Sequence, residues 1–354
     1  MTHRSQGALR ACEHPLVGKD RTLDASAPLT GTLGQRAALA IGGIAAAVAL
    51  VAAPFVTQAQ EVSLRASVFV PSNTVFGEPC ARFVDHVNQT YKGIVQIRLV
   101  GPDAVPSLEQ GNAVRSGVVD LACIPPAYYT NVMPEADAAI LSTLNFTQQR
   151  ASGGWEALNK LAHQKQNVQM VAGYGDGVQF HIFTNKPVTS IADMKTLKLR
   201  TTPNYTSFFV SLGSSPVNMP PGEVQTALER GVVDGYGWPI AGIFDLGWAQ
   251  HTKYRIDPGF YNVIVYVLAN YTKWNALTAA QRDALTKAGE WLEAENTRWA
   301  TFKSAAERKR QLDAGIKVID LGDGYRKQAY DAYWTDISKR APDAIKMLRP
   351  LLDK

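Results

Sequence analysis

The sequence is poor in the side chains from which metal centres and many catalytic sites are built. Its 354 residues include three cysteines and six histidines. No C-x-x-C pair is present, and no two histidines stand four residues apart, as zinc ligands on one helix face do. Neither a G-x-S-x-G nucleophile motif nor a G-x-x-x-x-G-K-[ST] phosphate loop occurs. We therefore predict a protein that is not an enzyme and that uses no cofactor and no metal.

An excess of charge of one sign is also lacking. The chain has 36 lysines and arginines against 31 aspartates and glutamates, which gives a formal net charge of +5. Binding to nucleic acid or to a membrane surface requires a larger and more clustered basic excess, so neither partner is expected. The small positive excess is compatible with an anionic ligand.

The longest uncharged stretch lies near the N-terminus. Arg36 precedes a run over residues 37–56 made almost wholly of Ala, Gly, Val, Ile and Leu, and small residues follow up to Ala59. A basic residue, an apolar core and small residues before the cut are typical of a signal peptide. We predict cleavage after Ala59 and a periplasmic location. An uncleaved membrane anchor is the alternative, because the run approaches the roughly 20 residues that span a bilayer.

Two of the three cysteines would remain in the exported protein. Cys12 is lost with the leader, whereas Cys80 and Cys123 reach an oxidising compartment in which a disulfide is permitted. We expect two small buried thiols, with a bridge between Cys80 and Cys123 as the alternative.

From Glu61 onward, short β-branched runs alternate with longer amphipathic stretches. Strands are predicted at residues 62–69, 95–100, 118–123, 168–173, 180–184, 195–200, 217–219, 232–236 and 263–270. Helices are predicted at residues 76–91, 108–116, 204–212 and 221–230. This alternation indicates an α/β fold of βαβ units, with mostly parallel sheets flanked by helices. The glycine-rich residues 173–177 lack the spacing of a nucleotide loop and are interpreted as a turn or hinge.

A long helix is predicted in the C-terminal third of the chain. Thr278 begins the sequence Thr-Ala-Ala-Gln, in which Gln281 can complete a capping box. From there to Leu312 only Gly289 disfavours a helix, and a bend is expected near that residue. A helix of this length can extend across two lobes.

An internal repeat indicates that the lobes are similar. The sequence AVRSGVVD at residues 113–120 is matched by ALERGVVD at residues 227–234, and each is followed five residues later by a proline. In both, a helix is expected to end at a left-handed glycine before a buried strand. We divide the chain into a leader (1–59), lobe I (mainly 60–172), lobe II (mainly 173–270) and a C-terminal helical segment across both lobes (271–354). Ligands bind at the carboxyl ends of strands in open α/β sheets, so residues 121–129 and 235–239 are candidate site segments.

One region of the sequence resembles a known family. It contains IADMKTLKLR at residues 191–200, LGSSPVNMP at residues 212–220 and EVQTALERGVVDG at residues 223–235. These segments resemble the DctP-type solute-binding proteins of tripartite ATP-independent periplasmic (TRAP) transporters, and weaker similarity runs from about residue 62 to the end. The resemblance implies a two-lobed fold that closes on an organic anion. It also implies delivery to a permease with small and large membrane subunits, driven by an ion gradient.

The resemblance assigns Arg200 as the residue that binds a ligand carboxylate. Arginine suits this role because its planar, charged guanidinium donates two parallel hydrogen bonds to a carboxylate. Arg200 ends a predicted strand and is followed by Thr201 and Thr202, where a ligand crevice is expected. The alternative is an arginine that forms a salt bridge between the lobes.

Two departures from the family pattern bear on the ligand. Gln179 stands where many relatives have a second arginine, and Trp238, two residues after Tyr236, stands where many have asparagine. One cation fewer and an added indole favour a monocarboxylate with an apolar, aromatic or ring-shaped body stacked on Trp238. The resemblance also places Phe69, Tyr128 and Asn204 near ligand contacts, with core packing as the alternative role of each.

Three other functions compete with transport of an organic acid by a TRAP system. An ABC-type binding protein is the nearest alternative, and a ligand-sensing periplasmic module that reports to a receptor is another. An extracytoplasmic enzyme on the same scaffold is disfavoured, because no catalytic set is recognisable in the sequence.

Overall fold

The structure, a computed structural model, describes residues 60–353, which form two β-sheets flanked by helices. The predicted leader (1–59), its cleavage site and Cys12 lie outside the described residues. Within residues 60–353, no helix is both long enough and apolar enough to cross a membrane. The α/β class predicted from the sequence is confirmed.

The first sheet has five strands, which are β1 (Val62–Val68), β2 (Val95–Val100), β3 (Leu121–Ile124), β4 (Val168–Tyr174) and β10 (Val265–Asn270). Their order across the sheet is β2-β1-β3-β10-β4. β1 pairs in parallel with β2 and β3, whereas β10 is antiparallel to β3 and to β4. The chain therefore returns to the first sheet after it has built most of the second.

The second sheet has six strands, which are β5 (Gln179–Thr184), β6 (Lys198–Thr201), β7 (Ser215–Asn218), β8 (Gly235–Pro239), β9 (Tyr254–Asn262) and β11 (Lys317–Asp320). Their order is β11-β9-β5-β8-β6-β7. β6 is parallel to β7 and β8, and β11 is parallel to β9, whereas β5 is antiparallel to β8 and β9. Both sheets are thus mixed. β9 and β11 were not predicted from the sequence.

The described α-helices are α1 (Glu78–Thr90), α2 (Gln110–Ser116), α3 (Phe146–Ala151), α4 (Gly154–Gln166), α5 (Pro203–Ser211), α6 (Val224–Glu229), α7 (Tyr271–Ala276), α8 (Ala279–Asp313), α9 (Gly322–Arg340) and α10 (Pro342–Leu352). α8 is the predicted long helix, and Thr278 and Gln281 form its capping box as expected. The helix continues through Gly289, where an added Cβ would lie 2.8 Å from the carbonyl oxygen of Val171. Glycine at this position therefore allows α8 to lie close to β4.

The long helix contacts elements of both sheets. In its N-terminal half, the Asn296 side chain accepts a hydrogen bond from the Gly175 backbone N–H at 2.6 Å, beside the end of β4. Toward its C-terminus, Gln311 donates to the Ile240 carbonyl at 2.6 Å, just after β8. Of residues 173–177, the first two end β4, and the rest form a turn toward β5 that includes two glycines with positive φ, in agreement with the predicted turn. The division of the chain into lobe I, lobe II and a C-terminal segment, with boundaries at residues 172 and 270, stays a proposal. β10, from the proposed lobe II, belongs to the first sheet, and β11, from the proposed C-terminal segment, belongs to the second.

The internal repeat corresponds to two copies of one local structure. Gly117 and Gly231 both adopt left-handed conformations, with φ of 80° and 66°. The carboxylates of Asp120 and Asp234 each accept a hydrogen bond from a backbone N–H of the neighbouring strand, at 2.8 and 2.9 Å. Each aspartate thereby fixes the start of a buried strand, β3 or β8, against its parallel neighbour. The predicted equivalence of the two segments is confirmed at the level of single hydrogen bonds.

Cys80 and Cys123 form a disulfide that joins α1 to β3. The expectation of two free thiols is therefore wrong. Packing of α1 against the first sheet brings the two Cα atoms to 6.1 Å, which is within the range that a disulfide bridges. The sequence could not reveal this contact, because the two residues lie 43 positions apart and on different elements.

Candidate functional site

A cavity of about 40 Å³, partly open to solvent, lies where strands of both sheets end. Its walls follow the carboxyl ends of strands: Phe69 follows β1, Pro125 follows β3, Thr202 follows β6, and Pro239 ends β8. Pro125 and Pro239 are the equivalent prolines of the internal repeat. Both candidate segments chosen from the sequence contribute to the walls.

Arg200 is fully buried and held in one orientation by three hydrogen bonds. Its Nε donates to the Met219 carbonyl at 3.0 Å, and its Nη1 donates to the Tyr205 hydroxyl at 2.8 Å and to the Gly237 carbonyl at 3.3 Å. Its Nη2 is buried and has no hydrogen-bond partner among the described residues. The carbon of the guanidinium lies 5.5 Å from the Trp238 ring centroid. One end of the guanidinium is thus fixed and the other remains available to a ligand.

No carboxylate compensates the charge of Arg200. In residues 60–353, no aspartate or glutamate lies within ion-pair distance of it, and the other residues that line the cavity are uncharged. A buried charge without a partner is costly, so natural proteins seldom keep one without a use for it. The alternative of a salt bridge between the lobes is therefore not observed. The cavity presents one positive charge to whatever occupies it.

Tyr205 orients Arg200 and was not identified from the sequence. Its hydroxyl accepts from Arg200 and donates to the Gly237 carbonyl at 2.9 Å. The ring lies against Gly237, where an added Cβ would be 2.6 Å from Cε2 of Tyr205. Burial raises the pKa of Tyr205, and the nearby charge of Arg200 opposes this shift. The phenol therefore stays protonated and able to donate. Pro203 was the sequence signal that could have identified Tyr205. A proline at this position begins α5, so the first turn of that helix, which contains Tyr205, directly follows β6.

Aromatic rings form most of the remaining wall. The Phe76 and Trp238 rings meet edge to face with centroids 6.4 Å apart, and Phe69 meets Tyr128 in the same way at 5.8 Å. The indole N–H of Trp238 is buried and has no partner in the described part of the chain. Burial raises the pKa of Tyr128, so its hydroxyl remains protonated. Phe69, Tyr128 and Trp238 all line the cavity, as the sequence analysis proposed for ligand contacts.

Asn204 also lines the cavity and is held by its neighbour. The Thr202 hydroxyl donates to Oδ1 of Asn204 at 2.5 Å. This bond occupies the acceptor of the amide and leaves its NH2 group as a donor. Asn204 is only 3% exposed and lines the cavity, so its amide is one of the buried polar groups of the wall.

Gln179 and Tyr236, two of the predicted contacts, lie outside the cavity lining. Successive side chains of a strand face opposite ways, so Phe180 faces the cavity and Gln179 does not. Tyr236 lies two residues before Trp238, farther from the end of β8. Its hydroxyl bonds to the Thr252 hydroxyl at 2.6 Å, within the core of the second sheet.

No cluster of three or more histidine, cysteine, aspartate or glutamate side chains that could hold a metal ion is found between residues 60 and 353. The cavity lining itself contains none of these residue types. The polar groups that the walls offer are therefore the Arg200 guanidinium, hydroxyls, an amide and an indole N–H.

The chain is similar to known solute-binding proteins. The model of family 7 of the bacterial extracellular solute-binding proteins (DctP) matches residues 66–340. A solute-binding protein of Roseobacter denitrificans is 23% identical over 302 residues, covering 82% of this chain and 91% of the relative. A monocarboxylate 2-oxoacid-binding periplasmic protein of Nostoc is 26% identical over 256 residues, covering 68% of this chain and 69% of the relative.

Solved structures have the same fold. The extracytoplasmic solute receptor DctP7 of Bordetella pertussis, which binds pyroglutamic acid, is 22% identical with a TM-score of 0.72, covering 82% of this chain and 99% of the receptor. A TRAP periplasmic solute-binding protein of Desulfovibrio salexigens with bound orotic acid is 18% identical with a TM-score of 0.74, covering 82% and 98%. The two-lobed fold predicted from the sequence is confirmed by these similarities.

Proposed function

The chain belongs to family 7 of the bacterial extracellular solute-binding proteins, and we propose that it binds a small monocarboxylate through Arg200 for delivery to a TRAP permease. Members of this DctP-type family are binding components of transport systems and not enzymes. The predicted family, the solute-binding function and the expectation of a protein that is not an enzyme are therefore confirmed. Capture of a monocarboxylate, the export route and the membrane partner are the proposed part.

The observation that carries the proposal is the buried, unpaired guanidinium of Arg200. A hydrogen bond to a charged group contributes roughly 1.5–3 kcal/mol, so the two free N–H groups of Nη2 contribute at most roughly 3–6 kcal/mol when both bond to the ligand. Micromolar binding requires about 8 kcal/mol, and association also costs translational and rotational freedom. The aromatic walls must supply the difference by burying an apolar part of the ligand.

A ligand with a single carboxylate fits the lining better than a dicarboxylate does. Among residues 60–353, Arg200 is the one cation that lines the cavity, so a second carboxylate would be buried without a partner. Three relatives support an acidic ligand, because they bind pyroglutamic acid, orotic acid and monocarboxylate 2-oxoacids. A compact acid with one carboxylate and an apolar or ring-shaped body is the class we propose.

Membership of the family supports a location outside the cytoplasm and a transporter as partner, and the details of both are proposed here. An extracellular solute-binding family places the protein outside the cytoplasm. We propose that the leader is a signal peptide cleaved after Ala59 and that the mature protein works in the periplasm. The proposed partner is a permease with small and large membrane subunits, as in other TRAP systems.

A thermal-shift screen of the purified protein tests the proposal. Small monocarboxylates, dicarboxylates and the neutral amide of each monocarboxylate are compared at equal concentration. At a ligand concentration of 100 times Kd, binding adds about 2.7 kcal/mol to the stability, which corresponds to about 5 °C in Tm. We expect this shift from a monocarboxylate and none from its amide. Shifts from dicarboxylates alone would refute the specificity, and shifts from amides as large as those from acids would refute the role of Arg200.

Trp238 should determine how much of the apolar body of the ligand is buried. We expect Trp238→Ala to weaken binding of the best acid by roughly 10- to 100-fold, because the variant loses aromatic contact area on the ligand. Trp238→Phe should lose less than tenfold. Isothermal titration calorimetry measures both. Trp274→Ala, which changes a half-buried tryptophan outside the lining, is the matched control and should bind like the wild type. Equal affinity of Trp238→Ala and the control would remove Trp238 from the site.

A further inference from the structure

We propose that Asp245, which lies outside the cavity, sets the affinity of the site by slowing release of the ligand. The inference rests on the proposed function, because it concerns how the two lobes stay together around a bound acid. Asp245 belongs to the turn after β8, on the side of the second sheet. It contacts a segment that enters α1, on the side of the first sheet.

A single hydrogen bond joins the two segments. The backbone N–H of Val75 donates to Oδ2 of Asp245 at 3.0 Å, between residues 170 positions apart in the chain. The nearest turn acceptor is already used, because the Pro71 carbonyl accepts from the backbone N–H and the hydroxyl of Thr74 at 3.0 and 2.7 Å. Val75 is buried and Asp245 is exposed at the surface. Without Asp245, the Val75 N–H would lose its acceptor on the protein, which is unfavourable for a buried backbone group.

The two segments lie in close contact around this bond. Gly242 has φ of +103°, and a Cβ added to it would lie 2.8 Å from Cγ1 of Val75 and 3.1 Å from the indole nitrogen of Trp238. The next residue, Phe76, packs edge to face on Trp238, and both rings line the cavity. The two sheets therefore cannot move apart at this point without breaking the Asp245 bond and opening the aromatic wall together.

A contact present only in the closed arrangement shifts the equilibrium toward that arrangement. The ligand must leave through an open arrangement, so the Asp245 bond should slow dissociation and have little effect on association. Asp245 does not touch the cavity, so its effect on affinity cannot come from contact with the acid.

The charges near Asp245 allow its hydrogen bond to be separated from its charge by substitution. Glu307 of α8 faces the same turn: burial raises its pKa, Arg310 and a hydrogen bond from the Gly242 N–H lower it, and Asp245 raises it further. The guanidinium of Arg310 itself lies over the Phe244 ring at 4.0 Å. A negative charge on Asp245 thus stands close to a second carboxylate. Asparagine at position 245 would remove this repulsion and keep an oxygen that accepts from Val75.

The test compares the wild type with Asp245→Ala and Asp245→Asn. The control is Asp283→Ala, which changes an exposed aspartate on α8, away from the Val75 contact. Hydrogen exchange of the Val75 amide is measured with and without 10 mM pyroglutamate, and release of pyroglutamate is followed by stopped-flow tryptophan fluorescence. We expect exchange and release about tenfold faster in Asp245→Ala, with an unchanged association rate. Asp245→Asn and Asp283→Ala should resemble the wild type.

The possible results separate this inference from the proposed function. Equal exchange at Val75 in all four proteins, with and without the acid, would overturn the role of Asp245. Equal changes in the alanine and asparagine variants would assign the effect to charge and would also overturn it. If the wild type does not bind pyroglutamate, the exchange data still decide whether Asp245 holds the segments together. The absence of binding would then count against the proposed ligand class alone.

Discussion

Replacing Arg200 by glutamine should abolish carboxylate binding and leave the fold intact. The substitution removes the one positive charge among the described residues that line the cavity, together with the unpartnered N–H groups of Nη2. A loss of roughly 3–6 kcal/mol corresponds to an affinity about 10²- to 10⁴-fold lower. Arg200→Lys should recover little, because lysine lacks the planar guanidinium that Met219, Tyr205 and Gly237 hold in place. Calorimetric titration measures affinity, and thermal unfolding monitored by circular dichroism measures stability.

The matched control for Arg200 is Arg255, a second buried arginine. Its Nε and Nη2 donate to the Asp257 carboxylate at 2.9 and 3.0 Å, and its Nη1 donates to Gln311 at 2.7 Å. Because this charge is paired, Arg255→Gln should destabilise the fold by about 3–5 kcal/mol and preserve ligand binding in the fraction that folds. Arg200→Gln should show the opposite pattern. An Arg200→Gln protein with wild-type affinity would refute the proposed function.

Removal of the disulfide should strongly destabilise the fold. The bridge closes a loop between residues 43 positions apart, for which the chain-entropy model gives about 4 kcal/mol of stabilisation. The double variant Cys80→Ala, Cys123→Ala should therefore lose about 2–4 kcal/mol of unfolding free energy, measured by urea denaturation. Alanine avoids placing a hydroxyl in this buried position.

Reduction of the wild-type protein provides the control for this variant. Dithiothreitol should lower the wild-type stability toward that of the double variant and should not change the variant itself. A double variant within 1 kcal/mol of the oxidised wild type would contradict the expected contribution. The bond also links α1, which follows Phe76, to β3, which precedes Pro125, so ligand affinity is expected to fall with stability.

The sequence predicted the elements whose signals are local. Short β-branched runs marked most strands, the Thr278 capping box marked the start of α8, and Gly117 and Gly231 marked the two left-handed helix ends. Arg200 was found because its neighbourhood matches a family motif and because it stands at the end of a strand. In each case the responsible interaction lies within a few residues along the chain, so the sequence pattern contains it.

Residues whose role depends on a distant partner were missed or misplaced. Tyr205 looks like any aromatic residue of a helix until α5 is packed against Gly237. Gln179 aligned with a family position, but the face that it presents is set by the register of β5 between β8 and β9. Asp245 carries no sequence signal, because its partner is a backbone N–H 170 residues away.

The sequence by itself therefore determined the family, the α/β class, the two copies of the glycine-to-strand repeat and the place of Arg200 at the end of a strand. Only the tertiary structure decided the return of β10 to the first sheet, the disulfide, the set of side chains that line the cavity and the contact between Val75 and Asp245. The physical reason is the range of the interactions. Helix caps and alternating burial act between near neighbours, whereas strand order and cavity lining arise when segments far apart in the chain pack against each other.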